Sequence, residues 1–294
     1  MFAIFSCNNS EYEIKTVDFA NTINQTIQEN DTNQDIEVVI GAMISPKETF
    51  SNYKELFEYI TSKLDKKLTI VQRKSYSESN ELLTTNQVKV GFICSGAYIK
   101  IRDKCDLLVV PVFNNHPYYQ AYIITNKSSS IKNFNDLKGR SFAFTDALSN
   151  TGKFYPEKRI KELFNTNSHY FFSKTTYSNS HDASIQLVEK GLVDGASIDG
   201  LIYEYMLKYT PKKVQNINII EKSECFGSPP VVVSKNISKS LKFNLKNIFL
   251  NMQNDSMGKK ILQNLMIDKF IIPNDSIYNS IIQYYKNLNS DIIN

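Results

Sequence analysis

The chain has 294 residues, 41% of them hydrophobic and 22% charged, enough for about two ordinary globular domains with cores of their own. Its 34 lysines and arginines stand against 30 acidic residues, and the basic ones fall in scattered pairs such as Lys66-Lys67 and Lys212-Lys213, so a concentrated nucleic-acid face is excluded. No apolar run approaches the roughly 18 residues of a membrane-spanning helix.

The first residues, Met1-Phe-Ala-Ile-Phe-Ser-Cys7, form an apolar stretch that ends on a small residue before a cysteine. The pattern resembles a bacterial lipoprotein processing site with Cys7 as the lipidated residue, although a basic start and most of the apolar stretch are missing. A tail carrying one cysteine is the alternative reading. Residues 1–34 are polar and read as a tether.

From Asp35 onward strands and helices alternate. Strands are expected at Ile36–Met43, Leu68–Gln72, Val88–Cys94 and Leu107–Phe113, with helices at Tyr53–Leu64, Ser77–Leu83 and from Ala97. Tyr118–Asn126 reads as a strand leading out of this unit. A second set follows: strands at Ser141–Thr145, Tyr170–Phe172, Gly195–Ile198 and Ile217–Ile220, and helices from Asn150 and over Ser180–Gly191. Pro156 is expected to interrupt the first of these helices, which would resume at Glu157. Pro229-Pro230 before Val231 makes a stiff extended crossing back to the first unit, and the remainder is helical.

This rhythm predicts an α/β fold of mostly parallel sheets in two lobes, joined by two crossings with a ligand cleft between them. Lobe 1 is expected over 35–123 plus 231–294 and lobe 2 over 124–230. Hinge closure around a ligand is the motion such a design permits.

Cys94, Cys105 and Cys225 read as buried small apolar residues, the first two at opposite ends of adjacent strands and too far apart to pair. His116, His169 and His181 have no partners at zinc-ligand spacing, so no metal is expected, and no cofactor motif is visible.

The most informative stretch is Ser141-Phe-Ala-Phe-Thr145 followed by Asp146-Ala-Leu-Ser149-Asn150-Thr151-Gly152. A buried strand stops on small hydroxyl and amide residues, which cap a helix while leaving its first backbone N–H groups for an anion. Ser149 and Thr151 add hydroxyl donors at the same point. Alone, such a run is usually only a cap. In the first lobe, the carboxyl ends of strands offer Ser45 and the run Cys94-Ser95-Gly96-Ala97-Tyr98, since ligands of open α/β sheets bind there. Ser95 reads as a cap for the next helix, and Tyr98 as packing or a ligand contact with equal weight.

Over about Asp35–Tyr285 the chain resembles the phosphate/phosphite/phosphonate solute-binding proteins of ABC transporters, which have the type II periplasmic-binding fold. The best-matched piece is Asp136–Gly152 with Pro156. In that family it ends in an Asp-Pro-x-Ser-x-Ser/Thr-Gly pattern that holds the oxyanion, which implies Ser149, Asn150 and Thr151 here. Ala147 stands where the family usually has proline, and Asn150 where it often has threonine. Ser180-His181-Asp-Ala through Asp194-Gly-Ala is similar to a helix whose histidine donates to a ligand oxygen, which implies His181. Pro117-Tyr-Tyr119 matches the first crossing and implies Tyr119. Phe270 through Tyr278 matches a C-terminal signature. Where aminophosphonate binders can carry a carboxylate in a Gly-Asp-Pro setting, this chain has Gly227-Ser228-Pro229, and Asp199 reads either as a substitute or as a strand end only. Methylphosphonate, phosphite or phosphate are therefore the favoured ligands.

The resemblance implies an extracytoplasmic binding protein, lipid-anchored, periplasmic or secreted. It would act as a monomer that captures a small oxyanion and passes it to a membrane ABC permease. A sensory partner of a membrane receptor kinase is the alternative, and a two-lobed enzyme a weaker one, because Ser149 lacks a base and acid arrangement.

Overall fold

The computed structural model describes residues 35–41, 43 and 46–290. Cys7 and Ser45 lie outside these residues. The first elements are β1 (Ile36–Ile40), α1 (Pro46–Ser62), β2 (Leu68–Gln72), α2 (Tyr76–Thr84), β3 (Val90–Phe92), α3 (Ser95–Ile101) and β4 (Cys105–Val112). After them come β5 (Tyr118–Tyr119), β6 (Ala121–Asn126), β7 (Ser141–Phe144), α4 (Tyr155–Phe164), α5 (Ser168–Phe171) and β8 (Lys174–Tyr177). The chain continues through α6 (His181–Glu189), β9 (Gly195–Asp199), α7 (Gly200–Tyr209), β10 (Ile217–Lys222), β11 (Phe226–Gly227) and β12 (Val231–Ser234). Last are α8 (Lys239–Asn251), α9 (Ser256–Asn264), β13 (Lys269–Ile271) and α10 (Asn279–Ser290).

Two sheets organise these elements. The first runs β13-β4-β12-β3-β1-β2, with β1 parallel to β2 and β3, and β12 antiparallel to β3 and β4. The second runs β10-β6-β9-β7-β8, parallel among β9, β7 and β8. Helices cover the faces, so the central strands are apolar throughout: Val38, Val39, Val90, Val109, Val232, Phe142 and Ala196 are all buried. Between the sheets the short β5 and β11 pair antiparallel, Tyr119 opposite Phe226, and mark the two places where the chain crosses. The second crossing behaves as its sequence predicts: Pro230 O accepts from Ile93 N at 3.1 Å, and the next residues enter the first sheet as β12.

That insertion corrects one expectation. The strands near Cys94 and Cys105 are not neighbours, because β12 lies between β3 and β4. Both thiols are free and buried as expected, whereas Cys225 is exposed. A second correction concerns Tyr170-Phe-Phe172, which does not form a strand. Asn167 accepts from His169 N at 3.0 Å and caps α5, Phe172 packs on the Phe142 and Phe144 rings of β7, and Phe171 stacks on Phe134. The strand at this edge is β8, whose Lys174, Thr175 and Tyr177 are exposed. Nor does Pro156 interrupt a helix. The turn Asn150–Phe154 is π-wound, and Pro156 sits in the first turn of α4, where a missing N–H breaks no hydrogen bond.

The C-terminal signature fastens the second crossing. Tyr278 is buried, donates from its hydroxyl to Ser228 O at 2.8 Å, and packs on the Tyr98 ring at 5.0 Å. Beyond it α10 lies against both α3 and α4. No helix among the described residues is long and apolar enough to cross a membrane.

Candidate functional site

At the end of β7 the chain turns through Thr145 and Asp146 into the π-wound turn. Asp146 shapes this turn: one carboxylate oxygen accepts from Leu148 N at 2.8 Å and the other from Tyr76 N at 3.1 Å, on a helix of the other sheet's layer. Burial raises the Asp146 pKa, opposed by those two backbone donors. Ser149 caps the turn by accepting from Gly152 N at 3.0 Å and keeps its own hydroxyl proton to donate. Gly152 is obligatory in this packing, because an added Cβ would lie 2.5 Å from Thr145 Cβ. Ser149, Asn150 and Thr151 are all fully buried. Thr151 Oγ1 has no hydrogen-bond partner within the protein, and neither does Ser228 Oγ at the second crossing. Buried hydroxyls without partners are uncommon, and Thr125 Oγ1 on β6 is another among the described residues.

His181 begins α6, behind the Ser180 cap, and is also fully buried. Its Nδ1 receives Asp199 N–H at 3.0 Å and lies 3.0 Å from Thr145 Oγ1. A backbone amide can only donate, so these partners assign the lone pair to Nδ1 and the proton to Nε2. Burial pushes the imidazole pKa down to about 3, which keeps the ring neutral. His181 is therefore an N–H donor without a charge. Its Nε2 lies 3.5 Å from the Tyr76 hydroxyl, and its backbone N–H donates to Met43 O at 3.0 Å.

The opposite wall comes from the first sheet and the crossing. Ser95 Oγ and Tyr119 OH are 2.5 Å apart, and Asn150 Nδ2 donates to the same phenol at 3.3 Å. Tyr119 thus joins the Ser95 loop to the Ser149–Thr151 turn. The two loops touch at Gly96, where an added Cβ would lie 2.6 Å from Asn150 N. Burial raises the pKa of Tyr76 and of Tyr119 well above the ordinary value, so both remain hydroxyl donors. Burial likewise pushes Cys94, the residue before α3, up to about 11.

Asp199 closes the cluster. It ends β9, its Oδ1 accepts from Leu201 N at 2.8 Å to cap α7, and only 3% of it is exposed. Burial pushes its carboxyl up to about 7, against the lowering effect of the Leu201 and Ile202 backbone donors. From Asp199 a cavity of about 570 Å³ extends past Met43, Tyr53, Phe92, Glu204 and Pro229, residues carried by both sheets' layers and the crossing. None of the donors named above is a lysine or arginine, and the described residues hold no group of three or more His, Cys, Asp or Glu placed for a metal.

The structure joins Ser95, Tyr119 and Asn150 in one hydrogen-bonded group, sets Ser149 and Thr151 in the same turn as Asn150, and brings His181 to Thr145, against which Gly152 of that turn packs. It treats one of them, Ser95, differently from expectation. Ser95 makes no capping bond, because Cys94 holds the cap position of α3 and the serine hydroxyl turns to Tyr119. Tyr98 points away from the cluster: its hydroxyl donates to Asp275 at 3.1 Å and its ring packs on Tyr278, the structural half of its double reading. Tyr76 and Thr145 were missed. Tyr76 follows β2 directly behind Ser75, which forms a capping box with Glu78, so the strand-end rule that selected Ser95 also pointed to it.

A two-lobed fold with a buried, donor-rich cluster between its sheets defines a protein of the periplasmic-binding class. A family model described as "ABC transporter, phosphonate, periplasmic substrate-binding protein" matches residues 38–278, and the chain belongs to that family. A probable ABC transporter phosphite binding protein of Prochlorococcus marinus is 27% identical over 175 residues, covering 56% of this chain and 57% of its own length. The phosphonates-binding periplasmic protein of Escherichia coli is 28% identical over 153 residues, covering 51% of this chain and 45% of its own. The chain thus spans about half the length of these curated relatives.

Two solved structures share the fold. One is a binding protein component of an ABC phosphonate transporter from Pseudomonas aeruginosa, with TM-score 0.81, 21% identity and 86% of each chain covered. The other is PhnD1 of Prochlorococcus marinus in complex with methylphosphonate, with TM-score 0.77, 19% identity, and 86% of this chain and 98% of that one covered.

Proposed function

We propose that the chain is an extracytoplasmic solute-binding protein that closes its two lobes, 35–123 plus 231–294 and 124–230, on a small phosphorus oxyanion and delivers it to an ABC permease. The ligand is a phosphonate, phosphite or phosphate. Its oxygens are held by Ser149, Thr151, Asn150 and the first N–H groups of their turn, by His181 Nε2–H, and by the hydroxyls of Ser95, Tyr76 and Tyr119. The observation that carries this reading is the Thr151 hydroxyl, fully buried and without a partner at the start of a turn that packs on Thr145, the neighbour of His181 Nδ1. A membership in which relatives are named for phosphite and phosphonates points the same way. In this reading the protein works as a monomer and is anchored through Cys7.

Calorimetric titration of purified, ligand-free protein with phosphate, phosphite and methylphosphonate tests it. Saturable heat and a raised melting temperature are expected with at least one of them. Neither heat nor a thermal shift from any would overturn the reading.

A further inference from the structure

Thr145 is bonded to both halves of the candidate site without being one of its named donors. It follows β7 directly and is fully buried. Its backbone N–H donates to Gly152 O at 3.3 Å, which draws the turn carrying Thr151 onto the end of the strand. Its carbonyl accepts from Asn179 N at 2.8 Å, one residue before the Ser180 cap of α6. The main chain of one residue thus ties the Thr151 segment to the His181 segment.

The side chain adds a third tie. Thr145 Oγ1 lies 3.0 Å from His181 Nδ1, 3.4 Å from Ser184 Oγ and 3.5 Å from Ser197 O. These neighbours decide where its one proton goes. Ser184 has a closer partner in Ser178 Oγ at 2.6 Å, and Ser178 donates to Ser180 O at 2.8 Å, so the two serines are satisfied without Thr145. Ser197 O stands at the limit of hydrogen-bond reach, whereas Nδ1 is at an ordinary distance. Because Asp199 N–H points at Nδ1, that nitrogen carries a lone pair, and Thr145 can only donate to it. Two donors, one from the end of β9 and one from the end of β7, therefore converge on the imine nitrogen.

A neutral imidazole has two tautomers, and the bond made at one ring nitrogen sets whether the other carries the proton. A proton on Nδ1 would face both donors, so the pair excludes that tautomer and fixes the plane of the ring. Donation into Nδ1 also polarises the ring and strengthens donation from Nε2–H. We propose that Thr145 is a positioning residue of the oxyanion site. Its hydroxyl holds His181 in the tautomer and orientation that present Nε2–H to the ligand, and its backbone keeps the Ser149–Thr151 turn in register with α6. This inference rests on the oxyanion reading of the site.

The test compares the full chain as wild type, Thr145→Ala and Thr145→Ser, since the two variants differ from each other only in the hydroxyl. Nitrogen NMR of labelled imidazole in ligand-free protein reads the bond, calorimetry with methylphosphonate reads its effect, and melting temperatures verify folding. In Thr145→Ala the His181 Nδ1 resonance is expected to move toward that of an unbonded imine nitrogen, with binding weakened about 10-fold. In Thr145→Ser the resonance stays at its wild-type position, and the affinity stays within about threefold of wild type. Thr145→Val, which keeps the branched shape and lacks the hydroxyl, is expected to follow Thr145→Ala. An unmoved resonance in the variants without a hydroxyl, or equal weakening of Thr145→Ala and Thr145→Ser, would overturn the inference and leave the oxyanion reading intact. No binding of methylphosphonate, phosphite or phosphate by the wild type would overturn both.

Discussion

His181 shows how a single residue is set by its neighbours. A histidine at a helix start is disfavoured as imidazolium by the helix dipole, and full burial adds a larger penalty, so the ring enters the fold neutral. The sign of the pH dependence follows. With its pKa lowered from 6.5 to about 3, His181 contributes stability that is fully present above about pH 6.5 and is lost as pH falls through about 3. Asp199 has the opposite sense: raised from 3.8 to about 7, it contributes stability present below about pH 3.8 and lost as pH rises through about 7. Nitrogen NMR of labelled imidazole is expected to show His181 with an unprotonated Nδ1 and a protonated Nε2, unchanged between about pH 4 and about pH 8. A ring that titrates near its ordinary pKa would show that its burial and the Asp199 N–H bond are not as described. The residue itself was legible from the sequence through the Ser180 cap and its resemblance to a known histidine helix. The tautomer was not, because Asp199 lies 18 residues away and supplies the deciding donor only through the fold.

At the scale of elements, the site is made by the junctions of strands with helices. The Ser149–Thr151 turn was readable because its chemistry is local: a buried strand, then small polar residues, then glycine. Tyr76 follows a strand end that the same rule covers, but Asp146, which accepts its backbone N–H, lies 70 residues away, and that pairing no local pattern contains. The misread strand at Tyr170–Phe172 has a similar origin. Three aromatics in a row look like a buried strand, but the buried aromatics here cover one side of a short helix, while the real edge strand β8 is polar and exposed. Gly152→Ala tests the junction. The added methyl meets Thr145, whose hydroxyl neighbours His181 Nδ1, so the packing has to shift at about 1–3 kcal/mol. A lower melting temperature and about 10- to 100-fold weaker ligand binding are expected, measured by thermal denaturation and calorimetry. Unchanged binding would mean that the Thr145 to His181 contact does not hold the donor.

At the scale of the molecule, the two sheet layers meet through apolar packing, in which α10 lies against both α3 and α4, and through a set of polar contacts. Tyr76 N to Asp146, His181 N to Met43 O, and the Ser95, Tyr119 and Asn150 group all join one layer to the other. These contacts tie α2, the Ser95 loop and β5 to the Asp146–Asn150 turn and α6, beside an apolar cluster that includes Tyr98, Phe154 and Ile281. Gly96→Ala places a methyl between the two loops and should oppose closure by about 1–3 kcal/mol. Small-angle scattering is expected to show ligand-induced compaction in the wild type and a reduced response in this variant at equal ligand concentration. The two-lobed plan was legible from the alternation of elements and the paired prolines at 229 and 230. The closeness of the loops was not, because it depends on Gly96 meeting a turn of the other layer.

The central claim is that an oxyanion is held by neutral donors, with the Thr151 hydroxyl and His181 Nε2–H foremost. Its most direct measurement is the affinity for methylphosphonate of the Thr151→Val, His181→Ala double variant beside the wild type, with melting temperatures recorded for both. Loss of two donors in a buried site predicts binding weakened by about 100-fold or more. Equal affinity in a folded double variant would contradict the account.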